Sequence, residues 1–173
     1  MNDTTALRYR PAVEADREFL RALYILTDQW GDESQPVSDG IEAEIEAYVD
    51  GWTPEQGGVI LETDTGPDAG TPVGGAWLRT FTADDPGAGY VADEFPEVAI
   101  AVRPEYSGHG RGTALMAELL RVARQAGYPG VSPAVDLGND RARHVYAKLG
   151  YVDSEVNGGL DPSGRCHVML HRF

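Results

Sequence analysis

Residues 98–126 read VAIAVRPEYSGHGRGTALMAELLRVARQA. The first five are continuously apolar, and Pro104 removes a backbone donor shortly afterwards, which predicts a short strand buried on both faces. From Gly112 to Ala126 apolar residues recur at helical spacing with charged residues opposite them, which predicts an amphipathic helix with one buried side. This stretch is therefore predicted to form a strand, a turn and a helix.

The predicted turn is rich in glycine. Gly108, Gly110 and Gly112 alternate with two basic side chains, and glycine permits backbone conformations that are closed to other residues and a close approach to a ligand. Because the turn opens into a helix, its N–H groups and the positive end of the helix dipole converge on a spot suited to a phosphate or pyrophosphate. Positive charge there comes from Arg103, His109 and Arg111.

Two familiar phosphate-binding loops do not fit the turn. A Walker loop needs a Gly-Lys-Ser/Thr sequence, and the only lysine in the chain is Lys148. The dinucleotide fingerprint G-x-G-x-x-G would need a third glycine at Thr113 or at Leu115, depending on the register. A methyl-donor loop G-x-G-x-G does match, with Asp136 as a ribose acid, but only 61 residues follow Gly112, which is short for such a fold.

A second motif, NDRARHVYAKLGY at residues 139–151, follows about thirty residues downstream of the turn. At 100° per residue, Asn139, Arg143 and Tyr146 lie within one narrow arc of a helix, so that an amide, a cation and a phenol share a face. Taken alone, Asn139 reads as a helix N-cap and Tyr146 as a half-buried packing residue. Together with the glycine turn, their order along the chain favours a functional role.

These two motifs resemble those of the GCN5-related N-acetyltransferases, which transfer an acetyl group from acetyl coenzyme A (acetyl-CoA). The turn is similar to that family's pyrophosphate motif Q/R-x-x-G-x-G/A, with Ser107 in the Q/R position, Gly110 as the first glycine and Gly112 in the last position. Ser107 replaces the usual arginine or glutamine, and Arg111 replaces a small aliphatic residue. The later motif is similar to N-x-x-A-x-x-x-Y-x-x-x-G-[FY].

The resemblance implies an α/β fold in one domain, residues 1–173, with a mixed and mostly antiparallel sheet flanked by about four helices. The sheet is expected to splay between the central strand and the next one, admitting the pantetheine arm of acetyl-CoA. The residues expected to bind the cofactor are Ile100, Ala101, Val102, Ser107, Gly108, His109, Gly110, Arg111, Gly112, Thr113, Asn139 and Arg143.

The resemblance also implies direct acyl transfer to a primary amine of a small molecule or peptide, within a ternary complex. A primary amine is mostly protonated at neutral pH, so a base must take its proton, and Glu97 is the first candidate. Asp93, Glu94 and His109 are its rivals, and Glu97 also reads as a surface carboxylate at a strand end. Backbone N–H groups of residues 100–102 would polarise the thioester carbonyl. Tyr146 would protonate the departing thiolate.

The rest of the chain supplies further elements at recognisable spacing. Apolar periodicity predicts helices over 15–27 and from Ile41 to about Gly51, and turn residues separate the other predicted segments. The resemblance implies an acceptor pocket near the two helices, and the Gly, Pro and Asp-rich loop 82–96 is a candidate acceptor-site loop. Candidate walls of the pocket are Asp28, Trp30, Glu33, Tyr48 and Trp52, although solvated loops and core aromatics explain these residues equally well. The strands are predicted at 7–10, 58–62, 73–81, 131–137, 151–156 and 166–170.

Composition limits the partners. The chain has 14 basic and 28 acidic residues, a net charge of −14, which disfavours nucleic acid and anionic membranes and favours a cationic amine. The single cysteine, Cys166, excludes an internal disulfide, and we expect a cytoplasmic protein from the absence of a signal region or membrane span. A homodimer is compatible with the sequence.

No metal site is expected. His167 and His171 are four residues apart on a predicted strand, hence roughly 13 Å apart, and are interpreted as a solvent-facing pair. Two other classes of function stay open: a catalytically silent acyl-CoA-binding module that acts as a sensor or interaction partner, and a small enzyme that uses S-adenosylmethionine.

Overall fold

The computed structural model describes residues 5–173, so residues 1–4 of the predicted domain lie outside it. The described chain contains four α-helices, as the resemblance implied: α1 Arg17–Asp28, α2 Ile41–Ile45, α3 Arg111–Gln125 and α4 Asp140–Lys148. The strands are β1 Leu7–Pro11, β2 Gly58–Thr63, β3 Pro72–Arg79, β4 Glu97–Val102, β5 Gly130–Val131, β6 Ala134–Asp136, β7 Val152–Asp153 and β8 Cys166–Arg172.

The first sheet is antiparallel throughout, in the order β1-β2-β3-β4. Side chains alternate across it, so each inner strand contributes to two apolar clusters, one on each face. On β4, Val98 joins the cluster under α3, whereas Ala99 joins the cluster under α1. The continuous apolar run predicted for this strand is therefore explained by burial on both faces of the sheet.

Helix α1 packs its buried leucines, Leu20, Leu23 and Leu26, against one face of the sheet. The chain then passes through α2 directly into a short π-helical segment, Glu46–Asp50. Helix α3 covers the opposite face, burying Leu115, Met116, Leu119 and Ala123. No helix of the described residues is long and apolar enough to cross a membrane.

The second sheet is built on β8, which pairs with β5 and β6 along one edge and with β7 along the other. The strand predicted at 131–137 is interrupted, because Pro133 has no N–H to donate to the ladder. The predicted interruption is confirmed, and the continuous strand is replaced by β5 and β6. The carbonyl of Pro133 still accepts a hydrogen bond from Met169 at 3.2 Å.

Two expectations in this half of the chain are wrong. The strand predicted at 151–156 is only Val152–Asp153, because after Ser154 N–H donates to Val168 C=O at 2.8 Å the chain enters a 3₁₀ turn, Val156–Gly159, with positive φ at Asn157. His171 does not face solvent: its ring contacts Tyr151 and Phe173 at centroid distances of 5.2 and 5.4 Å, and its Nδ1 is buried. His171 is thus partly covered by these two rings, although Arg172 and Phe173 beyond it are exposed.

Candidate active site

The two sheets meet at one short parallel contact. Val98 N–H donates to Ser132 C=O at 2.8 Å, and Ser132 N–H donates to Pro96 C=O at 3.0 Å. Backbone groups alternate sides along a strand, so Ile100 and Val102 also direct their N–H groups to this edge. Within residues 5–173 no strand pairs with β4 beyond Glu97 on this side. The sheet therefore parts after Val98, as the resemblance implied.

The same alternation separates the three predicted backbone donors. Arg103 N–H bonds to Val73 on β3, which places the N–H of Ala101 on that side as well. Ile100 and Val102 are the residues whose N–H groups face the gap between the sheets, and both side chains are partly exposed.

The glycine turn follows β4 after a single 3₁₀ turn, Pro104–Tyr106. Its backbone is left-handed at three consecutive residues, with φ of +85° at Gly108, +54° at His109 and +73° at Gly110. Glycine relieves the strain at two of these positions. The first hydrogen bond of α3 runs from Ala114 N–H to Gly110 C=O at 2.9 Å, so the N–H groups of the first turn point out of the helix end.

The space in front of this helix end is open. A Cβ added at Gly108, Gly110 or Gly112 would meet no atom within 4 Å. At Gly112 neither a positive φ nor a close neighbour requires glycine. The absence of a side chain there leaves room beside the N–H groups of Gly112 and Thr113, which fits an anionic group placed against them.

The polar side chains of the turn are partly engaged with the turn itself. The Ser107 hydroxyl donates to Pro104 C=O at 2.9 Å, and the Arg111 guanidinium donates to Tyr106 C=O at 3.1 Å. Ser107 therefore stabilises the local backbone instead of reaching outwards as a longer side chain would.

Two predicted cofactor residues lie at α4. Asn139 is the N-cap of this helix, and its Oδ1 accepts the N–H of Ala142 at 3.3 Å. The guanidinium of Arg143 forms an exposed ion pair with Asp153 at 2.6 Å. The predicted shared face of amide, cation and phenol is therefore split, because Arg143 turns towards β7.

Tyr146 is half-buried on α4 and packs on the same core cluster as Ile100 and Val102. Its ring lies 5.3 Å from that of Tyr151, centroid to centroid. Burial raises the pKa of Tyr146 to about 12, so the phenol is protonated at neutral pH. Its hydroxyl makes no hydrogen bond within residues 5–173.

Glu97 is the first residue of β4 and only 2% exposed, so it is not a surface carboxylate. Its Oε2 accepts a hydrogen bond of 2.6 Å from the hydroxyl of Tyr48. Its Oε1 has no partner in hydrogen-bond geometry among the described residues. A Cβ at Gly87 would come within 2.3 Å of that oxygen, so loop 82–96 covers the carboxyl closely.

Burial raises the pKa of Glu97 to about 7, against the opposing effects of the Tyr48 hydroxyl, the Gly89 N–H and the Arg79 charge. A carboxyl that titrates near neutral pH is suited to accept a proton there. Of its rivals, Asp93 is an exposed acceptor for the Tyr90 hydroxyl at 2.6 Å.

The candidate acceptor walls occupy different environments. Trp52 is fully buried in the core, whereas Trp30 is 52% exposed and has a left-handed φ of +54°. The indole N–H of Trp30 donates to Asp136 at 2.8 Å, linking the segment after α1 to β6. Asp28 accepts the N–H of Ser38 at 2.8 Å.

A cavity of about 270 Å³ lies between α1 and the end of β4. Its floor is apolar and its rim carries charges of both signs; its lining residues are Phe19, Ala22, Leu23, Leu26, Glu33, Arg103 and Glu105. The guanidinium of Arg103 lies 5.3 Å from the centroid of the Phe19 ring. Of the candidate walls, Glu33 alone lines this cavity. Over the part of the chain described, no group of three or more His, Cys, Asp or Glu side chains is placed to hold a metal ion.

The model of the acetyltransferase (GNAT) family matches residues 19–151, which cover β4, the glycine turn and α4. The chain is a member of the GNAT family. This confirms the resemblance drawn from the two motifs. The comparison with curated proteins gives no match.

Solved GNAT structures share the fold along nearly the whole chain. A GCN5-related N-acetyltransferase from Kribbella flavida is 18% identical, with a TM-score of 0.65 over 97% of this chain and 98% of that one. The PaiA N-acetyltransferase from Thermoplasma acidophilum, solved with coenzyme A, is 15% identical, with a TM-score of 0.64 over 97% and 99%. YncA from Salmonella typhimurium, solved with acetyl-CoA, is 17% identical, with a TM-score of 0.64 over 97% and 94%.

Sequence reasoning did not find the connection between Tyr48 and Glu97. The sequence predicts Tyr48 only as a candidate aromatic wall, and its helical spacing beside Ile45 and Val49 indicates only a packed helix. The contact spans 49 positions, and no local pattern reports it.

Proposed function

We propose that this GNAT protein transfers the acetyl group of acetyl-CoA to a primary amine of a small molecule or peptide, by direct attack in a ternary complex. The observation that carries the proposal is the parting of β4 from the second sheet directly before an open, glycine-rich helix N-terminus. A long ligand with an anionic middle and a reactive end fits such an arrangement.

Acetyl-CoA, when bound, supplies a thioester as the acyl donor. The N–H groups of Gly110, Gly112 and Thr113 would hold its pyrophosphate, since the helix end is open and carries the positive end of the dipole. Arg111 adds positive charge beside the turn within an otherwise acidic chain. Ile100 and Val102 would present their N–H groups to the pantetheine arm and to the thioester carbonyl.

Glu97 is the proposed general base. The amine nitrogen must lose a proton to become nucleophilic, and the carboxylate form of Glu97 can accept it at Oε1, the oxygen that Tyr48 does not occupy. Because Glu97 is covered by loop 82–96, the proton reaches it through water or when that loop is displaced.

Tyr146 is the proposed general acid. Its phenol is in the proton-donating form at neutral pH, and its hydroxyl is not engaged by the described protein. A proton from its Oη would neutralise the sulfur as coenzyme A leaves.

The acceptor is proposed to be cationic. The net charge of −14 attracts cations over the whole surface, and carboxylates such as Asp136 and Glu44 lie beside the aromatic rings of Trp30 and Tyr24. Asn139 and Arg143 stay candidates for contacts with coenzyme A, through small changes at the cap and in the exposed ion pair.

A turnover screen tests the function. Release of coenzyme A from acetyl-CoA would be followed with polyamines, amino acids, aminoglycosides and peptides, with each product confirmed by mass spectrometry as the amine plus one acetyl group. Transfer to at least one amine supports the proposal. Binding of acetyl-CoA without transfer to any of them would favour the silent acyl-CoA-binding module instead, and stabilisation by S-adenosylmethionine but not by coenzyme A would favour a methyl-donor enzyme.

A further inference from the structure

The short π-helical segment Glu46–Asp50 is held in place by side chains from β3. The Trp77 indole donates to Tyr48 C=O at 2.9 Å, and the Arg79 guanidinium donates to Ala47 C=O at 2.7 Å. A π-helical turn leaves backbone carbonyls outside the α-helical pattern, and here they are satisfied from the sheet. The segment is therefore fixed relative to β3 and to the adjacent strand β4.

This arrangement fixes the ring of Tyr48 on two sides. Tyr24 of α1 stacks on it with centroids 5.2 Å apart and planes 18° apart. Phe81 meets it edge-on at 5.1 Å. The side chain is 8% exposed, so its hydroxyl has a single direction available, towards the start of β4.

The hydrogen bonds of the Tyr48 hydroxyl are set by its neighbours. Ala88 N–H can only donate, and it donates to the hydroxyl oxygen at 2.9 Å. The hydroxyl proton is then free to point at Oε2 of Glu97, 2.6 Å away. This pattern suits a carboxylate at Glu97, because a protonated Oε2 would compete with the hydroxyl proton.

We propose that Tyr48 is a positioning residue for Glu97: it holds Oε2 so that Oε1 is the oxygen left to take the acceptor's proton. This inference rests on the proposed function of Glu97 as the base. Tyr48 acts through Glu97 and through the Ala88 contact, which ties loop 82–96 to the base.

The groups around Glu97 determine how its pKa would change if the Tyr48 hydroxyl were removed. Arg79 of β3 and the Gly89 N–H also favour the carboxylate, whereas burial opposes it. The Tyr24 phenol of α1 lies close enough for the charge of Glu97 to act on it. Removing the Tyr48 hydroxyl takes away the side-chain hydrogen bond that Oε2 of Glu97 accepts. A hydrogen bond to a charged group is typically strong enough to shift a pKa by about 1 unit or more, here upwards.

The test compares Tyr48→Phe with Tyr128→Phe. Both changes remove one phenol hydroxyl, but that of Tyr128 donates to Gln56 C=O at 3.1 Å, away from Glu97. Rates of acetyl transfer would be measured from pH 5.5 to 9.5. The ionisation of Glu97 would be followed independently by ¹³C NMR of labelled glutamate carboxyls, with the signal assigned by its loss in Glu97→Gln.

In Tyr48→Phe we expect the rising limb of kcat/KM and the NMR midpoint of Glu97 to move up together by about 1 pH unit. The rate would fall about fivefold at pH 7 and approach the wild-type rate at high pH, while Tyr128→Phe keeps both midpoints. An unchanged NMR midpoint in Tyr48→Phe, or an equal shift in the control, would overturn the positioning role. If the wild-type protein transfers no acetyl group, the proposed function fails by itself, and the NMR midpoint still decides whether Tyr48 acts on Glu97.

Discussion

Val98 N–H and Ser132 C=O, 2.8 Å apart, form the hydrogen bond at which the two sheets join. Two residues further along β4, the N–H of Ile100 faces the same edge beyond the point of divergence. Glu97 lies on one side of this junction and the glycine turn follows β4 on the other. The proposed base and the proposed diphosphate site thus lie at opposite ends of one six-residue strand.

The activity is expected to depend on pH through Glu97. The proposed mechanism uses the carboxylate form of Glu97, and burial raises the pKa of Glu97 to about 7. The rate should therefore rise as the pH increases through that value. Glu97→Gln should lower kcat about 100-fold or more and leave the affinity for acetyl-CoA near that of the wild type. Initial rates together with calorimetric titration check both parts. A variant that keeps its kcat and its rising limb would remove Glu97 from the role of base.

The free energy of unfolding should also depend on the ionisation of Glu97, but it should fall as the pH rises, whereas the rate should increase. The folded state binds the proton of Glu97 more tightly than the unfolded chain does, so between pH 4.5 and about 7 stability falls as pH rises. The loss is on the order of 3 kcal/mol and is complete above pH 7. Glu97→Gln cannot ionise, so its free energy of unfolding should fall less than that of the wild type between pH 5 and pH 8.

Urea unfolding at the two pH values measures this difference. Glu18→Gln, at an exposed position of α1, serves as the control for the loss of one carboxylate. Equal pH dependence in the wild type and in Glu97→Gln would show that burial does not disfavour the charge at this site.

Tyr146→Phe should lower kcat without changing the affinity for acetyl-CoA. Because the hydroxyl makes no hydrogen bond to the described protein, its removal should leave the melting temperature unchanged. We expect kcat to fall at least tenfold if the phenol supplies the proton to sulfur, with little change in the affinity for acetyl-CoA. Steady-state kinetics beside Tyr128→Phe provide the comparison, and full activity in Tyr146→Phe would exclude the acid role.

Changes in the segment after α1 should affect binding of the amine acceptor but not binding of acetyl-CoA. The bond from the Trp30 indole to Asp136 holds this segment against β6, so Trp30→Phe should raise the KM of the amine roughly two- to tenfold and leave the KM of acetyl-CoA unchanged. Asp136→Ala should have the same effect, and Asp136→Asn, which keeps an acceptor oxygen, should have a smaller one. Additive effects of Trp30→Phe and Asp136→Ala in the double variant would contradict the link between them.

Patterns of neighbouring residues were enough to predict the parts of the site that are formed by one continuous stretch of sequence. The strand, turn and helix around Gly110 follow from apolar spacing and from glycine, and the positive φ values at Gly108 and Gly110 explain two of the three glycines. Gly112 is explained only by the open space that the structure shows around it. The break at Pro133 was also predictable, because proline cannot donate to a ladder.

Contacts between distant segments could not be predicted in this way. The π-helical turn at 46–50 depends on carbonyls satisfied from Trp77 and Arg79. The burial of Glu97 depends on loop 82–96 folding back so that Gly87 and Gly89 lie against its carboxyl. Strand alternation alone does not reveal that the rings of Tyr151 and Phe173 cover His171. Such features depend on tertiary packing, which a single sequence does not encode by spacing.

Binding of acetyl-CoA to Gly112→Val tests the account most directly. Gly112 has no positive φ and no neighbour within 4 Å of an added Cβ, so valine can be accommodated in the fold while filling the space before the helix end. Ala117→Val, at an exposed position of the same helix, matches the small cost of a β-branched residue in a helix. By isothermal titration calorimetry, we expect Gly112→Val to lose at least tenfold in affinity for acetyl-CoA, with Ala117→Val equal to the wild type. Equal affinity in all three proteins would contradict the placement of the diphosphate at this turn.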